Sequence, residues 1–371
     1  MIKHLYIHIP FCDFVCPYCD FTKRVSDKNN QKVYLDQLLK EIEYNKDDYN
    51  SLETIFIGGG TPTSFIYLKE LLEALNSYID LNSIKEFTIE TTPSRALDYL
   101  SLYKKYNINR ISIGVESFDP EVNKYLKRKN NDYKSVKEVV NTLKNNGITN
   151  INLDLIYSLP FQTLSSIKKD IEIIKELDVT HVSYYDLIIE DKTILKYDLE
   201  HKKISLPTED ESVEMRDYIN SELDNLGYKR YEISNYAKPG YESIHNMSYW
   251  TLEDYLGLGL NAHSKVGSKR FYNTNSLKTY ALFNSKEEYK AMREIEECDL
   301  KIEYNILGLR TIKGVSLNIY KVLFKNDLIE DYPFVNDLIK DGLLEIKDDY
   351  LRLTKKGLNL GNIVFSKFLW N

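Results

Sequence analysis

His4-Leu5-Tyr6-Ile7-His8-Ile9-Pro10 runs almost directly into Cys12-x-x-x-Cys16-x-x-Cys19, and the reading of the chain starts from this stretch. Residues 4–9 read as a short buried strand. Three cysteines then fall within eight residues, and only Cys298 lies elsewhere. Disulfides need pairs and structural zinc needs four ligands. A cubane iron–sulfur cluster held by three thiolates suits the number better, leaving one iron open to a small chelating molecule. Structural zinc with His8 as fourth ligand stays open as an alternative, because two-residue alternation puts His4, Tyr6 and His8 on one strand face.

Beyond this stretch, strand and helix alternate. A helical pattern over 33–45 carries Leu35, Leu38, Leu39 and Ile42 on one face. Strands follow at 54–57, 86–90, 110–114, 151–156 and 181–187, with helices at 65–78, near 96–105, at 133–145 and after Gln162. Six βα units in a row predict an α/β fold, a parallel sheet with right-handed crossovers that either closes into a TIM-like barrel or curls into part of one, a partial (β/α)6 barrel. Ligands of such folds gather at the carboxyl ends of the strands. The unusual residues fall there: the cysteine loop, Gly58-Gly59-Gly60-Thr61-Pro62-Thr63, Glu90, Gly114-Val115-Glu116-Ser117 and Asp154. Each alone is an ordinary turn or a solvated carboxylate; five strand ends converging on such residues form a candidate site.

Composition narrows the function. The 43% hydrophobic content is ample for a core in a chain of 371 residues, and no apolar run reaches bilayer length. A net charge of −7 argues against a nucleic-acid binder. Four cysteines in a chain of this length without a signal peptide point to the reducing cytoplasm. Towards the C-terminus, helices precede Leu343-Leu344-Glu345-Ile346, a Lys347-Asp348-Asp349 turn and Tyr350-Leu351-Arg352-Leu353. Helices plus a hairpin predict a winged-helix-like domain. The organisation expected is a core over 1–195, a connecting region packed on it over 196–298, and the winged-helix-like domain over 299–371.

The cysteine loop followed by Gly58-Gly59-Gly60-Thr61-Pro62 resembles the radical S-adenosylmethionine superfamily. Tyr6-Ile7-His8-Ile9-Pro10-Phe11-Cys12, Ile111-Ser112-Ile113-Gly114-Val115-Glu116-Ser117-Phe118 and Asp154-Leu155-Ile156-Tyr157-Ser158-Leu159-Pro160 are similar to the oxygen-independent coproporphyrinogen III oxidase group. Its haem-chaperone branch, the HemW branch, is the most similar. The oxidases carry a fourth cysteine where this chain has Phe21, and His245-Asn246-Met247-Ser248-Tyr249-Trp250 resembles the HNxxYW haem-binding motif of the chaperones.

The resemblance implies a 4Fe–4S cluster on Cys12, Cys16 and Cys19. It implies S-adenosylmethionine contacts from Tyr6, Gly59, Gly60, Thr61, Glu90, Glu116, Arg128 and Asp154, and haem contacts from His245, Asn246, Tyr249 and Trp250. The implied partners are haem or a porphyrin, haem-accepting proteins and an electron donor to the cluster, with at most peripheral membrane contact. Three positions depart from the family pattern: Glu116 for Gln, Asn130 for His and Asn261 for Gly. Glu116 brings a negative charge, while Asn tolerates positive φ. Two alternatives to a chaperone remain, a coproporphyrinogen III dehydrogenase of porphyrin biosynthesis, against which Phe21 speaks, and a non-enzymatic zinc protein.

Overall fold

A computed structural model describes residues 1–25, 27–285, 288 and 291–369, with the side chains of 291–294 left aside. Positions 370 and 371, the end of the third expected segment, lie outside the described residues. Six parallel strands form in the expected order: β1 (His4–Ile9), β2 (Thr54–Gly59), β3 (Glu86–Thr91), β4 (Arg110–Glu116), β5 (Asn150–Tyr157) and β6 (His181–Asp186). The crossovers carry α1 (Lys28–Tyr44), α2 (Leu68–Tyr78), α3 (Leu100–Lys105), α4 (Pro120–Tyr125), α5 (Tyr133–Asn145) and α6 (Leu164–Leu177). α4 has no counterpart in the sequence reading: at six residues it is too short for periodicity to register, although Asp119 caps it and Pro120 opens it.

The strands alternate with period two, and the two faces differ in chemistry. Leu5, Ile7 and Ile9, Ile55 and Ile57, Ile111 and Ile113, and Ile151 and Leu153 are fully buried in one apolar core together with Leu38 and Ile42 of α1 and Leu71 and Leu75 of α2. The intervening residues face the lumen and are mostly polar: Tyr6, Glu90, Arg110, Ser112, Asn152, Asp154 and Ser183. Barrels of this kind are commonly filled with branched apolar layers. Here the apolar packing lies outside the sheet and the inside is kept for hydrogen bonding.

After α7 (Ile194–Glu200) and α8 (Glu209–Asn225), the chain returns to extend both edges of the sheet. β7 (Lys229–Arg230) pairs antiparallel with β8 (Asn235–Ala237), which adds antiparallel to β6, while β9 (Tyr255–Leu258) adds parallel to β1 and leads into antiparallel β10 (His263–Val266), β11 (Lys269–Tyr272) and β12 (Ala291–Glu294). The resulting open order is β12-β11-β10-β9-β1-β2-β3-β4-β5-β6-β8-β7. Beyond it, a second core forms around Tyr320, Phe324, Leu351 and Phe368. There a three-stranded antiparallel sheet of Val315–Ser316, Tyr350–Leu353 and Leu344–Lys347 packs with short helices, as a winged-helix-like domain requires. Among the described residues no helix is long and apolar enough to cross a membrane.

One latch ties the returning chain to the barrel. The helix α9 (Ile244–Trp250) begins at Ser243, and the buried Glu86 carboxylate accepts from Ser243 Oγ at 3.0 Å, Ile244 N at 2.9 Å and His245 N at 3.0 Å. A carboxylate there satisfies the first N–H groups of the helix, which have no partner within it. Glu86→Ala strands these donors and should cost about 3 kcal/mol in urea unfolding; Glu86→Gln, which keeps an acceptor, should cost clearly less.

Candidate functional site

At the carboxyl end of the sheet, Phe11–Cys12 pairs in parallel with Arg24–Val25, so both ends of the cysteine loop are fixed. Arg24 N donates to Pro10 O at 2.6 Å and Cys19 N to Cys16 O at 3.2 Å. The glycine segment closes on this loop, with Gly60 N donating to Ile9 O and Thr61 N to Phe11 O, both at 2.8 Å. A Cβ on Gly60 would stand 2.8 Å from Cys12 Sγ and 2.8 Å from Phe11 O. Gly59 holds φ +116°, and its Cβ would enter the His8 ring. Both positions therefore require glycine.

The three cysteines line a cavity of about 540 Å³ together with Gly59, Gly60, Thr61, Glu90, Glu116, Arg128 and Asp154. Tyr6, the remaining member of the expected cofactor set, lies deeper, in an inner chamber of about 210 Å³, with its hydroxyl 2.9 Å from His8 Nδ1. Phe21 stands at the cavity wall, 64% exposed. Burial pushes the Cys12 thiol up to about 11 and Cys16 to about 12, and raises Cys19 as well. Binding of a thiolate-ligated group here must therefore release protons.

Zinc fits poorly. His8 has both ring nitrogens engaged, Nδ1 with Tyr6 and Nε2 with Thr22 O at 2.9 Å, so the fourth ligand of that reading is occupied. Among the described residues, no three His, Cys, Asp or Glu side chains come together as a single-ion site. A cubane, in which each thiolate takes its own iron, suits three thiols spread around one cavity.

Seven acidic side chains line the cavity against Lys23, Arg128 and Lys129, and those of them that are ionised favour a cationic guest such as a sulfonium. Glu90 Oε2 accepts from Gly59 N at 2.9 Å, and burial pushes this acid up to about 8. Asp154, also raised by burial, accepts from Ser112 Oγ at 2.6 Å and from Asn152 Nδ2 at 3.0 Å. Glu116, at φ +61° beside a register shift in β4, accepts from the Tyr18 hydroxyl at 2.9 Å and from the Arg128 guanidinium. The charge that Glu116 brings is thus met inside the protein. Its Oε2 is buried without a hydrogen-bond partner, leaving one acceptor for a guest. The other departures are mild: Asn130 and Asn261 hold φ +59° and +54°.

The HNxxYW-like segment sits at the other pole. His245 is fully buried, with Nδ1 2.7 Å from Thr54 Oγ1 and Nε2 2.8 Å from the Tyr249 hydroxyl. Thr54 begins β2 and Gly59 ends it, so five residue steps, roughly 17 Å, separate this motif from the glycine segment. Asn246 and Tyr249 line the inner chamber, and Trp250 lies under the Arg310 guanidinium at 4.7 Å. The structure brings the four motif residues together on one helix and keeps them apart from the cysteines. Sequence reasoning passed over Glu86, Tyr18 and Arg110; Glu86 and Arg110 share the period-two face of Glu90 and Ser112, and that pattern is the signal for them.

A three-cysteine loop and a glycine segment meeting at the carboxyl ends of a (β/α)6 sheet define a radical S-adenosylmethionine protein. Residues 6–174 match the radical SAM superfamily and residues 303–360 the HemN C-terminal domain. The chain is 36% identical over 369 residues to the haem chaperone HemW of Lactococcus lactis subsp. lactis, covering 98% of this chain and 96% of that one. It is 35% identical to HemW of Bacillus subtilis, covering 99% of both, and 32% identical to HemW of Escherichia coli, covering 98% and 97%. The chain belongs to the HemW family. Its fold matches that of HemN, the coproporphyrinogen III oxidase of Escherichia coli, with a TM-score of 0.84 at 24% identity over 99% of this chain and 90% of that one.

Arg128→Met leaves the buried Glu116 uncompensated and should cost about 3–5 kcal/mol in chemical denaturation. The Glu116→Gln, Arg128→Met double variant should lose less than the sum of the singles. Because the folded state holds the Glu90 proton more tightly than the unfolded chain, its contribution is complete below about pH 4.5 and is lost as pH rises towards about 8. Glu90→Gln should therefore flatten the fall in stability between pH 5 and pH 8 by more than about 1 kcal/mol, read from denaturation at each pH.

Proposed function

We propose that the protein is a cytoplasmic haem chaperone that holds a 4Fe–4S cluster on Cys12, Cys16 and Cys19, binds S-adenosylmethionine in the adjoining cavity, and delivers haem to acceptor proteins. The observation that carries this reading is the full-length likeness to proteins named as haem chaperones. A cluster held by Cys12, Cys16 and Cys19 would supply, once reduced by a donor protein, the electron that splits the sulfonium C–S bond. The chain's own contribution is to bind and orient. Gly59, Gly60 and Thr61 offer close backbone, Glu116 Oε2 an open acceptor and the acidic wall a favourable field. Phe21 in place of a fourth cysteine favours this reading over the dehydrogenase.

For haem, the hydrogen-bond chain beneath His245 matters. Glu253 Oε2 lies 3.4 Å from His4 Nε2, and His4 Nδ1 lies 2.9 Å from Thr54 Oγ1. A carboxylate only accepts, and in the arrangement where His4 donates through Nε2 alone each contact has one direction: His4 donates to Glu253, Thr54 to His4, His245 Nδ1 to Thr54, and Tyr249 to His245 Nε2. His245 thereby holds its proton on Nδ1 and its lone pair on Nε2, the tautomer that an iron ligand needs, with the Tyr249 hydroxyl covering it. Haem ligation by His245 requires Tyr249 to withdraw.

Anaerobic reconstitution should give about four irons and four sulfides per chain. Haem titration should then show a Soret change that His245→Ala abolishes and Tyr249→Phe strengthens, with no turnover of coproporphyrinogen III. Turnover of that substrate, or haem binding indifferent to both substitutions, would overturn this assignment.

A further inference from the structure

The lumen holds a guanidinium with no carboxylate in direct contact. Arg110 is 1% exposed, its Nε has no hydrogen-bond partner, and among the described residues no carboxylate lies within 4.0 Å of its nitrogens. It opens β4 and lines the 210 Å³ chamber with Ser112, Asn152, Ser183 and Asn246. Taking a guanidinium out of water costs several kcal/mol unless it is paired. The carboxylates on the chamber wall are committed elsewhere: Glu90 to Gly59 N, and Asp154 to Ser112 and Asn152. The two histidines facing the guanidinium, His181 and His245, are held neutral by burial and by Arg110 itself, and Tyr231, the other titratable neighbour, keeps its proton. Glu90 and Asp154 feel the Arg110 charge across the chamber, but their own contacts lie elsewhere, so the guanidinium has no carboxylate pressed against it.

We propose that this inner chamber is a binding site for a small carboxylate, gripped by the Arg110 guanidinium. A planar fork of N–H groups matches a carboxylate two bonds at a time. The room is several times the ~30 Å³ that one water occupies in the liquid. The chamber shares Glu90, Ser112, Asp154 and Tyr185 with the cysteine cavity, which gives the ligand its way in. The carboxylate is either a free small acid or the acid arm of a larger molecule reaching inward from that cavity. This site does not depend on haem ligation by His245.

The test is a titration of the full chain with ¹³C-propionate, followed by saturation-transfer NMR and thermal melting, against sodium chloride at equal ionic strength. Saturable binding and a rise in Tm beyond that in chloride are expected, with affinity at least tenfold lower in Arg110→Lys. Asn246→Phe, which fills the chamber and leaves the Arg110 side chain unaltered in sequence, should abolish the signal while circular dichroism stays unchanged. Displacement of propionate by mesoporphyrin but not by its dimethyl ester identifies the acid arm of a larger ligand; no displacement identifies a free acid. Propionate that acts no differently from chloride on the wild type overturns the proposal, whether or not either variant folds. So does equal affinity in Arg110→Lys.

Discussion

Everything in this molecule depends on one constraint: polar groups enclosed by a sheet must find partners there. The strands put Leu, Ile and Val outward against the helices and His, Glu, Arg, Asn, Asp and Ser inward. A packed apolar lumen would be easier to stabilise, because it asks for no hydrogen bonds. The polar lumen instead forces a network, and the parts of the chain that return late exist in large part to complete it. Glu86 meets the start of α9, His245 meets Thr54, and Tyr231 reaches His181 Nε2 at 2.8 Å. Two of the buried polar atoms left without a partner, Glu116 Oε2 and Arg110 Nε, belong to residues that line the two cavities described above.

The six-strand core was legible because alternation and strand–helix succession are local properties. Leu5, Ile7 and Ile9 against Tyr6 and His8 show the two faces within one strand, and the strand-end residues Gly59, Glu90, Glu116 and Asp154 follow from the direction of the sheet. The edge strands β7, β8 and β9 were not legible, since they are two to four residues long and carry no period. Nor was the position of His245. A bond between Thr54 and a residue 191 positions later is a tertiary fact that no local pattern encodes. Glu116 shows the same limit: its charge is evident in the sequence, whereas its ion pair with Arg128 is a tertiary contact that no strand pattern encodes.

The two poles of the barrel divide the labour. The carboxyl pole gathers thiols, glycines and an acidic wall, all suited to a cationic cofactor and an electron-transfer group. The amino pole is closed by α9, whose motif aligns a chain of hydrogen bonds and at the same time floors the inner chamber. Family resemblance names two sets of contacts without placing them; the geometry sets the His245 motif and the glycine segment apart by the length of a strand.

The short ribbon of Phe11–Cys12 with Arg24–Val25 bears on how the thiols are held. Drawing together the ends of an eleven-residue loop costs on the order of 2 kcal/mol in chain entropy. In this fold the paired backbone of the ribbon meets part of that cost. The three thiols therefore hang on one loop pinned at both ends, and a shift at Phe11 or at Val25 reaches all of them at once.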